Sequence, residues 1–406
     1  MDSVARRNLT VAEALDIVRA GALIADSETV PLKKALGRVL TEDVAADRDQ
    51  PPFRSSAMDG YAVRRADLGP AAMTIVGESA AGRRFDGVVG AGETVRIFTG
   101  APVPDECDAV VIQENVERSE DRVTVLADGL VAGANHIRPA GGDFRAGDIL
   151  LEAGVRLDAW RLSLAASAGR DEVCVARRPR IAILSTGDEL VAPGREPQPD
   201  QIYESASSAL VALIKTWGGK AQVLEREGDN EKAIAKAVKD VEADLILTIG
   251  GASVGDYDLV KPALRRLGLE VEFESLNLRP GKPTAFGRLE DGRRVLSLPG
   301  NPASAFVVAQ LFLKPWIEAS LGQPVRSPFV KARLAQPAPP AGPRESFLRA
   351  RLSVSETGQL EAVPMADQDS SLVTIFAQAD ALLRLTSSAP ASPAGEFVDV
   401  IPLDRL

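Results

Sequence analysis

The amino-acid sequence predicts a multidomain protein that joins an α/β domain to β-rich domains. Strand-like and helix-like segments alternate from residue 180 to about 322, which is typical of a doubly wound, mostly parallel sheet. From about residue 49 to 143, glycines and short β-branched runs predict β-structure with many turns. A Pro-rich segment near residue 325 marks a boundary, and the short alternating runs after it are consistent with a small β-barrel or sandwich. A chain of 406 residues is also too long for a single hydrophobic core.

Helical segments flank the β-rich stretch. Thr10 and Glu13 form a capping-box pattern that opens an amphipathic helix. A second short helix is expected over residues 32–40, and helical character returns over residues 155–168. We therefore predict that the β-rich stretch is inserted between two parts of a helical region.

The α/β segment supplies the elements of a parallel sheet. Strands are expected at 181–184, 221–225, 245–249, 271–275 and 295–298, and helices at 205–217, 230–241, 258–267 and 302–320. In a sheet of this kind, ligands bind at the carboxyl ends of the strands. The loops that follow these strands are therefore the first place to look for chemistry.

Composition narrows the class of protein. A hydrophobic content of 45% and a charged content of 26% are ordinary for a soluble globular chain. The net charge of −10 argues against non-specific nucleic-acid binding and gives no sign of a membrane surface. Cys107 and Cys174 are the only cysteines, so a zinc–thiolate site is excluded and a reducing cytoplasm is expected. The single histidine, His136, is predicted to be structural or exposed. No stretch approaches the ~20 apolar residues that span a bilayer.

The most informative loop follows the apolar run at 245–249. Its glycines and serine can expose backbone N–H groups to a phosphate, and they are Gly250, Gly251, Ser253 and Gly255. Asp256 and Asp258 follow at once, and paired carboxylates are suited to a Mg²⁺ ion that neutralises phosphate oxygens. The pattern predicts phosphoryl or phospho-ligand chemistry.

Other loops add compatible groups. Residues 185–189 follow the first strand, residues 279–283 carry Arg279 and Lys282, and residues 299–302 begin the last helix. In the β-rich stretch, candidate groups are Asp59, Thr99 and Asp143. Each loop alone also has a structural explanation, such as a helix start or, for Asp59, a favoured Asp-Gly turn. The joint occurrence of the α/β loops in one sheet favours a ligand site.

Six strings together resemble the MoeA family, the molybdopterin molybdotransferases, to which the gephyrin E domain also belongs. They are PPFRSSAMDGYAV, FTGAPVP, ILSTGDEL, GGASVGDYD, RPGKPTAFG and LPGNPASAF. They occur in the family's order, and the resemblance covers roughly residues 5–405. It implies an enzyme that inserts molybdate into adenylylated molybdopterin and releases AMP in a Mg²⁺-dependent step.

The resemblance also implies an architecture. It suggests an elongated helical domain (1–48 and 144–178), an inserted β-rich domain (49–143), an α/β molybdopterin-binding domain (179–325) and a C-terminal β-barrel (326–406). It implies a head-to-tail homodimer with the active site in the cleft between subunits. Expected partners are a molybdopterin adenylyltransferase that hands over substrate and molybdoenzymes that receive the cofactor.

Site residues carry over motif by motif. The implied catalytic residues are Asp59, Thr99, Asp143, Glu189, Asp229 and Asp258, and the implied metal ligands are Asp256, Asp258 and Glu189. The implied substrate-binding residues are Gly250, Gly251, Ser253, Gly255, Arg279, Lys282, Pro299, Gly300, Asn301, Pro302 and Ser304. The family often has Lys where this chain has Arg279, so a bidentate anion contact is expected here. Either Ser370 or Ser371 corresponds to a C-terminal serine of the family.

Two other functions are compatible with parts of the pattern. One is an adenylyltransferase, because the α/β domain alone resembles that related fold. The other is a non-catalytic, gephyrin-like scaffold that binds a partner peptide. The complete β-rich insertion and the C-terminal region disfavour the first, and we expect no additional module of the kind a scaffold uses. Molybdate and tungstate have the same charge and nearly the same size, so the sequence is compatible with either oxyanion.

Overall fold

The structure is a computed structural model that describes residues 5–126, 135–187, 189–224, 230–250 and 259–404. The chain divides into two compact units. The first comprises Met1–Glu28, Gly37–Thr41 and Cys174–Leu406, and the second comprises Thr29–Leu36 and Glu42–Val173. The four domain boundaries given above remain predictions.

The α-helices in the described part of the chain are α1 Val11–Ala20, α2 Ala159–Ser167, α3 Ala206–Trp217, α4 Glu231–Asp240, α5 Val260–Arg265, α6 Pro302–Val308, α7 Lys314–Ser320 and α8 Val373–Gln378. A π-helical turn, Ala309–Leu313, joins α6 to α7.

The strands before the α/β sheet are β1 Ser27–Pro31, β2 Val44–Ala45, β3 Ser55–Ser56, β4 Gly60–Val63, β5 Met73–Ser79, β6 Glu93–Ile97, β7 Ala109–Ile112, β8 Val116–Ser119, β9 Arg122–Val125, β10 Ile137–Arg138, β11 Ile149–Leu151 and β12 Glu172–Ala176. The later strands are β13 Arg180–Ser185, β14 Leu190–Val191, β15 Ile202–Tyr203, β16 Lys220–Val223, β17 Leu245–Ile249, β18 Glu270–Phe273, β19 Leu278–Arg279, β20 Ala285–Arg288, β21 Arg294–Leu298, β22 Val330–Leu334, β23 Glu345–Val354, β24 Leu360–Pro364, β25 Ala381–Leu385 and β26 Phe397–Pro402.

The first helix forms as the capping box predicts. The Thr10 hydroxyl accepts a hydrogen bond from the Glu13 N–H at 3.2 Å, and the Thr10 N–H donates to the Glu13 carboxylate at 2.9 Å. The prediction of a second helix over residues 32–40 is wrong. Only Leu32–Lys34 form a short 3₁₀ turn. Val39 and Thr41 instead bond through their backbones to the β12 segment, so strand pairing replaces the helix.

The α/β sheet has the order β16-β13-β17-β21-β20-β18. The pairs β13–β16, β13–β17 and β17–β21 are parallel, as predicted. The edge pairs β20–β21 and β18–β20 are antiparallel, so the sheet is a parallel core with an antiparallel edge. Strand β18 therefore runs in the same direction as β21, and only β20, for which the sequence predicted no strand, is reversed, because a tight turn over residues 289–293 joins it directly to β21.

Helices cover both faces of this sheet, which is what doubly wound means. Alternate residues along β13 pack into two different cores, with Ile181 and Ile183 in one and Ala182 and Leu184 in the other. The first core also contains residues of α1, α3, α6 and α7, and the second contains residues of α4 and α5.

The order of the strands creates a binding position. From β13 the chain passes to β16 on one side, and then to β17 on the other side of β13. The direction of winding therefore reverses between β13 and β17. A crevice forms at such a reversal, outside the carboxyl ends of the strands.

The C-terminal segment is a barrel rather than a sandwich. Strands β23, β24, β22, β26 and β25 pair in this order, and β25 pairs back to β23, which closes the sheet. Strand β19 from the α/β segment pairs with β23 through Leu278–Glu345 and Arg279–Ser346. This pairing attaches the loop 279–283 to the barrel.

The second unit contains the β-rich stretch that the sequence predicts. Its six-stranded sheet has the order β7-β4-β6-β5-β9-β8. Strand β4 lies between β6 and β7, antiparallel to both. Among the residues with described positions, no helix has the length and apolar character needed to cross a membrane.

Candidate functional site

Three loops of the α/β sheet converge at the carboxyl ends of β13, β17 and β21. The Thr186 N–H donates to the Ile249 carbonyl at 3.2 Å, and the Gly250 N–H donates to the Leu298 carbonyl at 3.1 Å. Gly250 adopts φ 83°, and a Cβ there would lie 3.0 Å from the Thr186 carbonyl oxygen. A side chain at Gly250 would therefore be strained and crowded, so glycine permits this close approach.

A cavity of about 850 Å³, here called the strand-edge cavity, opens where these loops meet. Its polar side includes Thr186, Gly187, Glu189, Glu204, Ser205, Gly250, Gly300, Asn301 and Ser371. Its apolar side includes Leu190, Ile202, Tyr203, Ile234, Leu259 and Val260. The cavity therefore has room and chemistry for a ligand with a polar part and an apolar part.

Glu189 presents a carboxylate to the strand-edge cavity. Gly187 adopts φ 136°, and a Cβ at that position would lie 2.5 Å from a Glu189 carboxylate oxygen. Glycine at 187 thus lets the Glu189 side chain fold over the loop. Within the described residues, the Glu189 carboxylate has neither a hydrogen-bond donor nor an ion-pair partner. A charged group without a partner, in a cavity, is available to a cation or a substrate.

The structure adds two residues to this cavity that sequence reasoning missed. Glu204 accepts a hydrogen bond from the Ser207 N–H at 2.9 Å, and the hydroxyls of Ser185 and Ser207 lie 2.8 Å apart. Tyr203 lies on the short strand β15 and is half-exposed at the cavity. The sequence feature that could have indicated them is an aromatic residue followed by an acidic residue, Tyr203 and Glu204, just before helix α3.

A second cavity of about 770 Å³, here called the barrel cavity, adjoins the first and shares Gly300 and Asn301 with it. Four cationic side chains line the barrel cavity: Arg279, Lys282, Arg344 and Arg349. In the described part of the chain, none of these four forms a salt bridge within 4.0 Å. Pro299 and Ser304 also line this cavity. Unpaired cations around a cavity favour an anionic ligand.

Arg349 is the buried member of this set, and sequence reasoning missed it. It is 1% exposed, and its Nη2 donates only to the Asp369 carbonyl, at 3.3 Å. Its Nε has no hydrogen-bond partner among the described residues. Burial lowers the pKa of Arg349 from its ordinary value, against the attraction of Asp367 and Asp369. A guanidinium that is buried and partly unsatisfied is suited to an oxyanion.

The structure separates the two serines that the sequence left open. Ser370 lines the barrel cavity and accepts a hydrogen bond from the Asn301 side-chain amide at 2.9 Å. Ser371 lines the strand-edge cavity and donates to the Asp369 carboxylate at 2.7 Å. The Ser371 N–H also donates to this carboxylate, at 2.8 Å, and the backbone bond first and the hydroxyl bond second lower the pKa of Asp369. Ser370 is thus the serine that contacts the Asn301 loop.

The second unit brings together two of its predicted residues. The Asp59 carboxylate accepts hydrogen bonds from the Thr99 N–H at 2.7 Å and from the Thr99 hydroxyl at 2.8 Å. These two bonds, from the backbone first and the hydroxyl second, lower the pKa of Asp59. Asp143 is exposed, and no hydrogen bond from a described residue to its carboxylate is found. The structure therefore joins Asp59 to Thr99 but does not join Asp143 to them.

Several predicted residues lie outside the described residues. They are Asp229, Gly251, Ser253, Gly255, Asp256 and Asp258. Of the predicted metal ligands, only Glu189 is described. Within the described ranges, no group of three or more acidic, histidine or cysteine side chains could hold a metal ion.

Comparison with known proteins matches this architecture along nearly the whole chain. Residues 9–169 match the MoeA N-terminal region (domain I and II), residues 182–319 a probable molybdopterin binding domain, and residues 331–403 the MoeA C-terminal region (domain IV). Two solved structures of a molybdopterin biosynthesis MoeA protein from Pyrococcus horikoshii have a TM-score of 0.82 with this chain, at 30% and 25% identity. They cover 98% and 97% of this chain, which covers 100% and 99% of theirs.

Curated relatives agree with the structural match. The molybdopterin molybdenumtransferase of Haemophilus influenzae is 35% identical over 385 residues, which is 94% of this chain and 95% of that protein. The molybdopterin molybdenumtransferase 2 of Mycobacterium tuberculosis is 37% identical over 328 residues, 76% of this chain and 80% of that protein. The fold, with its strand-edge cavity and its closed barrel, defines a multidomain protein of the MoeA architecture. The chain belongs to the molybdopterin molybdenumtransferase family.

Proposed function

We propose that this protein inserts molybdate into adenylylated molybdopterin and releases AMP. As a member of its family, it is a transferase of molybdenum cofactor biosynthesis. The observation that carries the specific reaction is the pair of adjoining cavities that share Gly300 and Asn301. One suits a phosphate-bearing ligand, and the other suits a small anion. A substrate bound across both would bring its phosphate and the oxyanion close together.

The strand-edge cavity is proposed to bind the adenylylated pterin. The glycines at 250 and 300 expose backbone near the cavity, and helix α6 begins there with Pro302. Because glycine has no side chain, a phosphate group can approach the backbone closely at these two positions. The half-exposed ring of Tyr203 offers a surface for a planar heterocycle, and such stacking is worth about 1–3 kcal/mol per base.

The barrel cavity is proposed to bind the oxyanion. Arg349, Arg279 and Lys282 provide positive charge that no carboxylate within ion-pair distance neutralises among the described residues. Molybdate is a dianion that must approach a phosphate ester, so these cations offset the repulsion between the two substrates. Ser304 and Ser370 add hydroxyl donors at the same cavity.

Glu189 fits a Mg²⁺ site because its carboxylate is unpaired in the described structure and lines the strand-edge cavity. We propose that Glu189 holds Mg²⁺ together with Asp256 and Asp258. A bound Mg²⁺ would neutralise phosphate oxygens as AMP leaves. Asp59, kept charged by Thr99, is proposed to orient a reacting group or bind a cation rather than to donate a proton.

The wider setting is also a proposal. The resemblance implies a homodimer with its active site in the cleft between subunits, and we propose this assembly. The expected suppliers and acceptors are a molybdopterin adenylyltransferase and molybdoenzymes. The paucity of cysteines favours a cytoplasmic location.

Turnover of adenylylated molybdopterin by the purified protein tests this function. We expect AMP release that requires both molybdate and Mg²⁺, and Glu189→Gln should reduce it by about 10-fold or more because a metal ligand loses its charge. Glu196→Gln, on an exposed residue of the same loop region, serves as the control. ATP consumption without molybdate dependence would favour the adenylyltransferase alternative, and peptide binding without AMP release would favour the scaffold.

The hydrogen bonds between Thr99 and Asp59 predict a specific dependence on pH. Thr99→Val removes the hydroxyl donor, so the pKa of Asp59 should rise towards its ordinary value. Because the charged carboxylate is the active form, activity is lost as pH falls through this pKa. The acidic limb of kcat/KM against pH should therefore move to higher pH in Thr99→Val and stay in place in Thr99→Ser. If the acidic limb does not move in Thr99→Val, Asp59 is not the group whose protonation limits activity at low pH.

A further inference from the structure

The side chain of Arg96 is held by four neighbours beside the Asp59 turn. Its guanidinium lies over the Tyr61 ring, 5.1 Å from the centroid, and over the Phe98 ring, 4.8 Å from the centroid. Its Nη1 donates to the Gly60 carbonyl at 3.0 Å, and its Nη2 donates to the Gln113 side-chain oxygen at 2.6 Å. Two hydrogen bonds and two ring contacts therefore hold the guanidinium in place.

Three of these neighbours belong to the segments that carry Asp59 and Thr99, and the fourth, Gln113, directly follows β7. Gly60 directly follows Asp59 at the start of β4, and Phe98 directly precedes Thr99 after β6. The Gln113 N–H, at the end of β7, donates to the Asp59 carbonyl at 3.0 Å. Arg96 thus ties together three strands at the point where Asp59 and Thr99 leave the sheet.

The charge of Arg96 also acts on the carboxylate. Its attraction favours the charged form of Asp59, beside the larger effect of Thr99. Asp59 uses Oδ1 for both hydrogen bonds from Thr99, and no described residue donates to Oδ2. The orientation of that second oxygen is therefore set by the turn that Arg96 holds.

We propose that Arg96 is a positioning residue that aligns the Asp59 carboxylate with Thr99 for AMP release without contacting the substrate. This inference rests on the proposed function. A lysine would keep the charge, but it lacks the planar fork that bonds to both Gly60 and Gln113 and contacts two rings. Both the shape and the charge of Arg96 are thus used, and two substitutions can separate them.

Arg96→Lys and Arg96→Met test the two contributions. We expect kcat for AMP release to fall by about 10²-fold in both, because misplacing a reacting group by about 1 Å has that effect. The KM for adenylylated molybdopterin should stay near that of the wild type. The acidic limb of the pH profile should move to higher pH in Arg96→Met but not in Arg96→Lys. Arg118→Met, on an exposed residue of the same sheet, serves as the matched control.

A double variant separates positioning from general support of the fold. If Arg96 acts through Asp59, then adding Arg96→Met to Asp59→Asn should lower kcat by little beyond the single Asp59 change. Equal losses in both backgrounds, wild-type kcat in Arg96→Lys, or misfolding of both Arg96 variants would each overturn the proposal. A wild-type protein that releases no AMP in the presence of molybdate would instead refute the proposed function.

Discussion

Asp59→Asn is expected to lower molybdate-dependent AMP release by about 10²–10³-fold, as the loss of one oriented electrostatic group does in other enzymes. Asparagine has nearly the same shape, and its side-chain oxygen can still accept both hydrogen bonds from Thr99. The substitution therefore removes the charge and preserves the turn. Steady-state AMP release at saturating Mg²⁺ measures the effect.

The control for this variant is Asp86→Asn, which changes an exposed acid of the same unit. We expect Asp86→Asn to keep wild-type turnover. The oligomeric state and melting temperature of Asp59→Asn should match those of the wild type, because Asp59 is exposed and makes no ion pair within the described residues. Normal turnover in Asp59→Asn would show that the active site does not include this residue.

Arg349→Met is expected to weaken oxyanion binding by about 10–100-fold, from the ~1.5–3 kcal/mol of a hydrogen bond to a charged group. Arg349 is 1% exposed, and it lines the barrel cavity with an unpartnered Nε in the described structure. Methionine fills much of the same volume but offers no donor. Titration of the purified protein with molybdate, and separately with tungstate, measures the loss for both oxyanions.

Arg351→Met provides a matched control on the same strand, because Arg351 is exposed and bonds to Gln378 instead of the cavity. Lys282→Ala should weaken oxyanion binding less than Arg349→Met, because exposed cations are screened by solvent. A large fall in melting temperature with unchanged molybdate affinity would make Arg349 a structural residue. That result would remove the strongest support for oxyanion binding in the barrel cavity.

Local sequence patterns predicted most of the elements. The capping box at Thr10, the apolar run at β17 and the Pro302 helix start all depend on neighbours within a few residues, so they can be read directly. The prediction of a helix over residues 32–40 was wrong because pairing with β12, which is distant in sequence, decided the conformation of Val39 and Thr41. Such pairing has no signal in a short window.

Some residues of the candidate site could likewise be predicted from local sequence, and others could not. Short motifs indicated Asp59, Thr99 and Glu189, because turn glycines and small residues mark loops at strand ends. Arg349 carries no such mark, since an arginine inside an alternating strand usually faces solvent. Its burial follows from closure of the barrel against the α/β segment, where β19 pairs with β23.

The amino-acid sequence by itself determined the α/β alternation, the β-rich stretch and the loops that bear the polar groups, because periodicity and turn chemistry are local properties. Only the tertiary structure decided which loops share a cavity, that Ser370 and Ser371 face different cavities, and that Arg96 contacts two rings beside Asp59. Those outcomes depend on the order of strands in each sheet, which brings residues far apart in the chain within a few ångströms of each other.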